Sequence, residues 1–199
     1  MKKLLALLLV LTLCATAALA EEGVFDYTVF EENEDIDLEI DRFDESWNAT
    51  ITAWSTIGDM LGGFTMNGTL DGELGLVYLY FVGDYCDEVR VLVDDTIYTF
   101  NTGMQEYVLA NMLRGEGCII FLTPETEPFF QTLATAETVD IRFTTVDDEV
   151  IDTSIAGSDL EKIQFMLAEL FAQDVVSCYI KDGEDLWEMM EFMHPMTVD

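Results

Sequence analysis

IDLEIDRFDESWNATITAW, residues 36–54, decides how the rest of the chain is read. Ile36, Leu38 and Ile40 fall on one side of a period of two, with Asp35, Asp37, Glu39 and Asp41 on the other. Trp47, Ala49, Ile51 and Ala53 repeat the pattern opposite Asn48, Thr50, Thr52 and Trp54. Alternation of this kind puts one face of a strand in a core and leaves the other wet, as in antiparallel sheets. A calcium-loop reading of the same acids fails on spacing. Counted from Asp35, the sixth position is Ile40 where glycine is needed, and the twelfth is Ser46 where glutamate is needed. Same-face carboxylates on a strand also stand about 6.6–6.8 Å apart, too far for several to converge on one ion. Asp35, Asp37, Glu39 and Asp41 therefore read as an acidic sheet face and a candidate binding surface. Trp54, counted onto the polar face with Asn48, Thr50 and Thr52, joins them as a candidate, because sugar-binding modules present rings in this way.

Outward from this stretch the alternation continues. LGLVYLYFV (74–82) is apolar on both faces and predicts a central strand. EVRVLV and TIYTF flank Asp94-Asp95, and IRFTTV and VIDTSI flank Asp147-Asp148-Glu149, which predicts two hairpins with acidic turns. Both hairpins share a Val-Asp-Asp corner and carry an arginine upstream of it, Arg90 and Arg142. Residues 58–75 hold six of the thirteen glycines, with Asn67-Gly68 and Asp71-Gly72 as turn dipeptides, and read as a turn-rich segment. MQEYVLANML (104–113) fits strand or helix equally.

Helical signals come late. Ser158-x-x-Glu161 has the form of a capping box, and Leu160, Ile163, Met166, Leu167, Leu170 and Phe171 follow at helical spacing. A shorter helix is expected over 126–136, opened by Thr126 with Pro128 in its first turn. DLWEMMEFM (185–193) reads as a short terminal helix or a docked tail within 174–199. The fold expected is mainly β, with α+β as the alternative: an antiparallel β-sandwich or rolled sheet with one or two helices packed towards the C-terminus. The element order over residues 89–172, a hairpin before an amphipathic helix, resembles that of small secreted β-sandwich proteins such as the invasion-associated locus B family. That resemblance rests on element order, without a shared motif.

Residues 1–20, MKKLLALLLVLTLCATAALA, have a lysine n-region, an apolar stretch from Leu4 to Leu13 and a small-x-small site at Ala18-Leu19-Ala20. This is the form of a secretory signal cleaved before Glu21, and it predicts a secreted or periplasmic protein. Leu13 before Cys14 is wrong for lipid attachment and argues against a lipoprotein. No later stretch reaches the length of a membrane span. The remaining residues, 21–199, read as a single acidic β-rich domain. The chain carries 8 Lys+Arg against 40 Asp+Glu, a net charge of −32; without the two leader lysines this becomes 6 − 40 = −34. Half of its residues are hydrophobic, so the charge lies over an ordered core and does not signal disorder.

Such a surface repels nucleic acid and anionic headgroups. It attracts counter-ions, polyamines and cationic peptides, and it keeps a protein soluble in a salty or crowded extracellular medium. Cys86, Cys118 and Cys178 allow one internal bridge, for which Cys86 and Cys178 are the candidates, since Cys118 sits in the apolar run CIIFLT. No CxxC, GxGxxG, Walker or GxSxG pattern occurs. The one histidine, His194, lies near the C-terminus before Pro195, a poor place for a general base. The turn acids Asp94, Asp95, Asp147 and Asp148 are candidate calcium ligands if the two turns converge. The function expected is a non-enzymatic binding module for a cationic protein or peptide. The alternatives are a calcium-stabilised extracellular module and a small hydrolase built on two carboxylates.

Overall fold

The computed structural model describes residues 24–55, 61–83, 86–101, 106–109, 113–145, 147–155, 157–173 and 197–198. Residues 1–20, Cys178, residues 185–193 and His194 lie outside them, as do the side chains of Trp54, Cys86 and Cys118. The chain forms β1 (Asp37–Asp41), β2 (Ser46–Ser55), β3 (Leu61–Thr69), β4 (Leu74–Gly83), β5 (Cys86–Val93) and β6 (Thr96–Asn101). Then follow β7 (Glu106–Leu109), β8 (Leu113–Phe121), helix α1 (Glu127–Leu133), β9 (Val139–Thr145), β10 (Val150–Ile155), helix α2 (Ser158–Ala172) and β11 (Thr197–Val198). One antiparallel sheet runs β1-β2-β3-β4-β8-β7; the other runs β10-β9-β5-β6-β11.

Alternation fills the space between the sheets. Trp47, Ala49 and Ile51 of β2, Phe64 and Met66 of β3, and Val77, Leu79 and Phe81 of β4 are buried from one side. Val89, Val91 and Val93 of β5 and Val139, Ile141 and Phe143 of β9 are buried from the other. The Phe81 and Phe143 rings meet edge to face at 5.1 Å, which joins the two sheets directly. Helix α1 completes the bridge: Phe129 sits against Tyr98 and Phe100 of β6, while Phe130 reaches Phe64 of β3 at 6.3 Å. Helix α2 covers the core with Leu160, Ile163, Met166, Leu167 and Leu170, the spacing expected for it. Its Gln164 donates to the carbonyls of Leu133 and Ala136, which satisfies the C-terminal end of α1. The mainly β, antiparallel two-sheet architecture with two helices is the one the alternation predicts.

Two local expectations change. Residues 61–69 are a paired strand, not a run of turns, and tertiary contacts explain their glycines. A Cβ at Gly68 would run into the Glu73 carbonyl oxygen and the Trp47 indole, and one at Gly63 into the Tyr80 ring lying across it. Ser158 is the first residue of α2 and not its cap; Gly157, at φ 59°, holds that position and its carbonyl accepts from Glu161 N–H. Within β2 the register shifts between Thr52 and Trp54: Thr52 pairs with Gly63 and Trp54 with Gly62. Two residues of β2 advance for one of β3, a bulge next to Trp54, whose side chain lies outside the described residues.

Candidate functional site

The acidic stretch becomes the edge of the first sheet. Among the described residues β1 pairs only with β2, Asp37 opposite Thr50, Glu39 opposite Asn48 and Asp41 opposite Ser46. Its core-facing series is graded: Ile36 is buried, Leu38 half-buried, and Ile40 42% exposed. Strand β1 thus leaves the core as it runs, and Asp35, Asp37, Glu39 and Asp41 are all exposed. The β1–β2 turn is pinned by Asp41, whose carboxylate accepts from the backbone N–H of Phe43 (2.8 Å) and Asp44 (3.2 Å). Glu45 closes the turn at φ 52°, and its carbonyl accepts from Leu70 N–H. This geometry holds Phe43 out in solvent, 100% exposed at the tip. The resulting hairpin offers together a row of carboxylates, an apolar ring and a backbone edge with no partner strand among the described residues. The one ion pair it makes among the described residues is Asp35 to Lys162 at 3.4 Å, at the start of the strand.

Beside this edge the outward face of the sheet is a hydroxyl and aromatic surface. Asn48 donates to Thr50, whose hydroxyl meets that of Thr65 at 3.3 Å. Tyr78 packs on Tyr80 at 6.1 Å and on Phe121 at 5.6 Å. Burial raises the Tyr78 phenol, with a hydrogen bond to Thr65 working the other way; burial and the neighbouring Tyr78 raise Tyr80. Both stay neutral hydroxyls, suited to packing and hydrogen bonding.

The turn acids are placed apart. Asp94, at φ 52°, uses its carboxylate to accept from the N–H groups of Glu137 and Thr138, both at 2.9 Å, stitching the β5–β6 turn to the loop before β9. Asp147 and Asp148 stand at the other end of β9, about 20 Å away along a seven-residue strand. Asp95, Asp147 and Asp148 are exposed, and among the described residues no group of three or more His, Cys, Asp or Glu side chains is placed to hold a metal ion.

One charged constellation went unread in the sequence. On the outward face of the second sheet Arg142 grips Asp152 through Nε (2.6 Å) and Nη2 (2.7 Å), a two-pronged pair across β9 and β10. The hydrogen bond from Arg142 draws the Asp152 carboxyl below the usual carboxylate range, and the pairing raises Arg142. This is the wrong direction for a general acid, which needs a raised carboxyl. Because the folded value is depressed, the stabilisation from this pair is present above the unfolded carboxylate pKa and is lost as pH falls through the folded one. The expected result in an NMR titration is a low Asp152 midpoint that rises towards the ordinary value in Arg142→Gln. An unmoved midpoint would contradict the pairing. The signal that could have found this pair is the alternation of IRFTTV and VIDTSI, which places both residues outward once the hairpin register is known.

Comparison with known proteins returned no matching family model, no matching curated protein and no matching solved structure.

Proposed function

We propose that this chain is a non-enzymatic binding domain, secreted or periplasmic, that holds an extended cationic protein or peptide segment against the β1–β2 hairpin. The observation that carries the reading is the hairpin itself: an edge strand with exposed carboxylates Asp37, Glu39 and Asp41 at alternate positions, ending in the solvent-held ring of Phe43. An added strand places its own same-face side chains at the same spacing, about 6.6–6.8 Å, so lysines at alternate positions meet these acids one for one. The identical edge of a second copy would set carboxylate against carboxylate, which disfavours self-pairing and selects a partner of opposite charge. The leader-like residues 1–20 support a place outside the cytoplasm.

The test is affinity for a peptide carrying lysine at every second position, measured in low and in high salt. Exposed charges are screened over about 10 Å at 0.1 M salt, so binding should fall steeply as salt rises. Phe43→Ser should weaken binding by about tenfold, through the loss of a buried ring in the complex. It should leave the melting temperature unchanged, because the ring contributes nothing to the free fold. Binding that ignores both salt and Phe43 would reject the reading.

A further inference from the structure

The outward face of the second sheet carries a second site of opposite character. Its central row runs Thr99, Arg90, Arg142 and Asp152 across β6, β5, β9 and β10, with Arg90 directly opposite Arg142. Two like charges at one register position disfavour each other. Asp152 compensates Arg142 but not Arg90. Among the described residues Arg90 makes no ion pair and no hydrogen bond, in a chain with 40 acidic residues to choose from. The next row sets Ile97 opposite Leu92, and Leu92 opposite Asp140. Arg90, Arg142, Leu92 and Ile97 line a groove of about 440 Å³ on this face, together with Asp140 and Asp152. That volume suits a small ligand.

We propose that this groove binds a small aliphatic monocarboxylate, its carboxylate held by the Arg90 guanidinium and its hydrocarbon tail laid on Leu92 and Ile97. A guanidinium presents planar paired donors that match a carboxylate, and among the described residues no group engages those of Arg90. Arg142, which bonds Asp152 through Nε and Nη2, lines the same groove and keeps its Nη1 group out of that pair. An anion between the two arginines relieves their mutual repulsion, which is the physical reason for keeping them side by side. Asp140, Asp152 and the net charge of −32 penalise a second negative charge on the ligand, so phosphate and dicarboxylates are disfavoured. The pair Leu92 and Ile97 selects a tail over acetate.

The experiment is an NMR titration of the full domain with hexanoate, hexanamide, hexylamine and acetate. Hexanoate should shift the Arg90, Leu92 and Ile97 signals at millimolar concentration, with hexanamide, hexylamine and acetate weaker. Arg90→Gln should weaken hexanoate by about tenfold or more, the loss of a charged hydrogen-bonded pair, while Arg90→Lys keeps part of the affinity. The amide spectrum of each variant reports its folding independently of binding. Absence of shifts with hexanoate, equal shifts with hexylamine, or undiminished affinity in a folded Arg90→Gln variant would overturn the proposal.

Discussion

Phe129→Ala is expected to destabilise the domain by about 3–5 kcal/mol, the range for removing a buried phenylalanine. Phe129 is fully buried and its ring meets those of Tyr98 (5.2 Å), Phe100 (5.1 Å) and Phe130 (5.1 Å). Its ring is the one by which α1 packs on the aromatic residues of the second sheet, while Phe130 packs on the first. The neighbours are held by strands and by the Tyr98–Thr132 hydroxyl contact at 2.8 Å, so the site cannot collapse easily onto a methyl group. Against a typical total stability of about 5–15 kcal/mol this loss is a large fraction. Calorimetry should show the melting temperature falling by about 6–20 °C. An unchanged melting temperature would mean that the bridge between sheets lies elsewhere.

Trp47→Ala should be as severe, about 3–5 kcal/mol. The indole is 2% exposed, stacks on Phe25 at 5.5 Å and Tyr27 at 5.4 Å, and lies against Gly68. Trp47 therefore fastens the N-terminal segment, including the 3-10 turn at Tyr27–Phe30, to the first sheet. Trp47→Phe separates packing from polarity. The indole Nε1 is buried without a hydrogen-bond partner among the described residues, and such an orphan donor carries a penalty of about 1–3 kcal/mol. Phenylalanine keeps a ring in the stack and removes that donor, so its effect should be well below that of alanine. Equal losses for the two variants, measured by denaturant unfolding, would contradict this division.

What the sequence revealed follows from the range of the forces involved. The hairpins β5–β6 and β9–β10 were legible because alternation and an acidic turn are both local. Helix α2 was legible from its apolar stripe, but its cap was misplaced by one residue, since Gly157 and Ser158 both suit a helix start. Strand β3 was hidden because Gly63 and Gly68 look like turn residues until Tyr80 and Trp47 are brought over them. The bulge between Thr52 and Trp54 is announced by no local residue. The row of Arg90 and Arg142 required the pairing of β5 with β9, two strands about fifty residues apart in the chain. Exposure of the acids on β1 followed from alternation, whereas its position at the sheet edge did not, because strand order is a tertiary fact.

The measurement that bears most directly on the binding role compares wild type with Asp37→Asn, Glu39→Gln, Asp41→Asn combined, using the alternating-lysine peptide. Asparagine at 41 keeps an oxygen to accept from Phe43 and Asp44, so the turn survives the change. The substitution moves the net charge only from −32 to −32 + 3 = −29, leaving diffuse attraction nearly intact. Three exposed ion pairs at about 0.2–1 kcal/mol each sum to about tenfold in affinity. A loss of that order in low salt, shrinking as salt rises, is the predicted result. Equal affinity of the two proteins for the peptide would show that the hairpin is not where the partner is held.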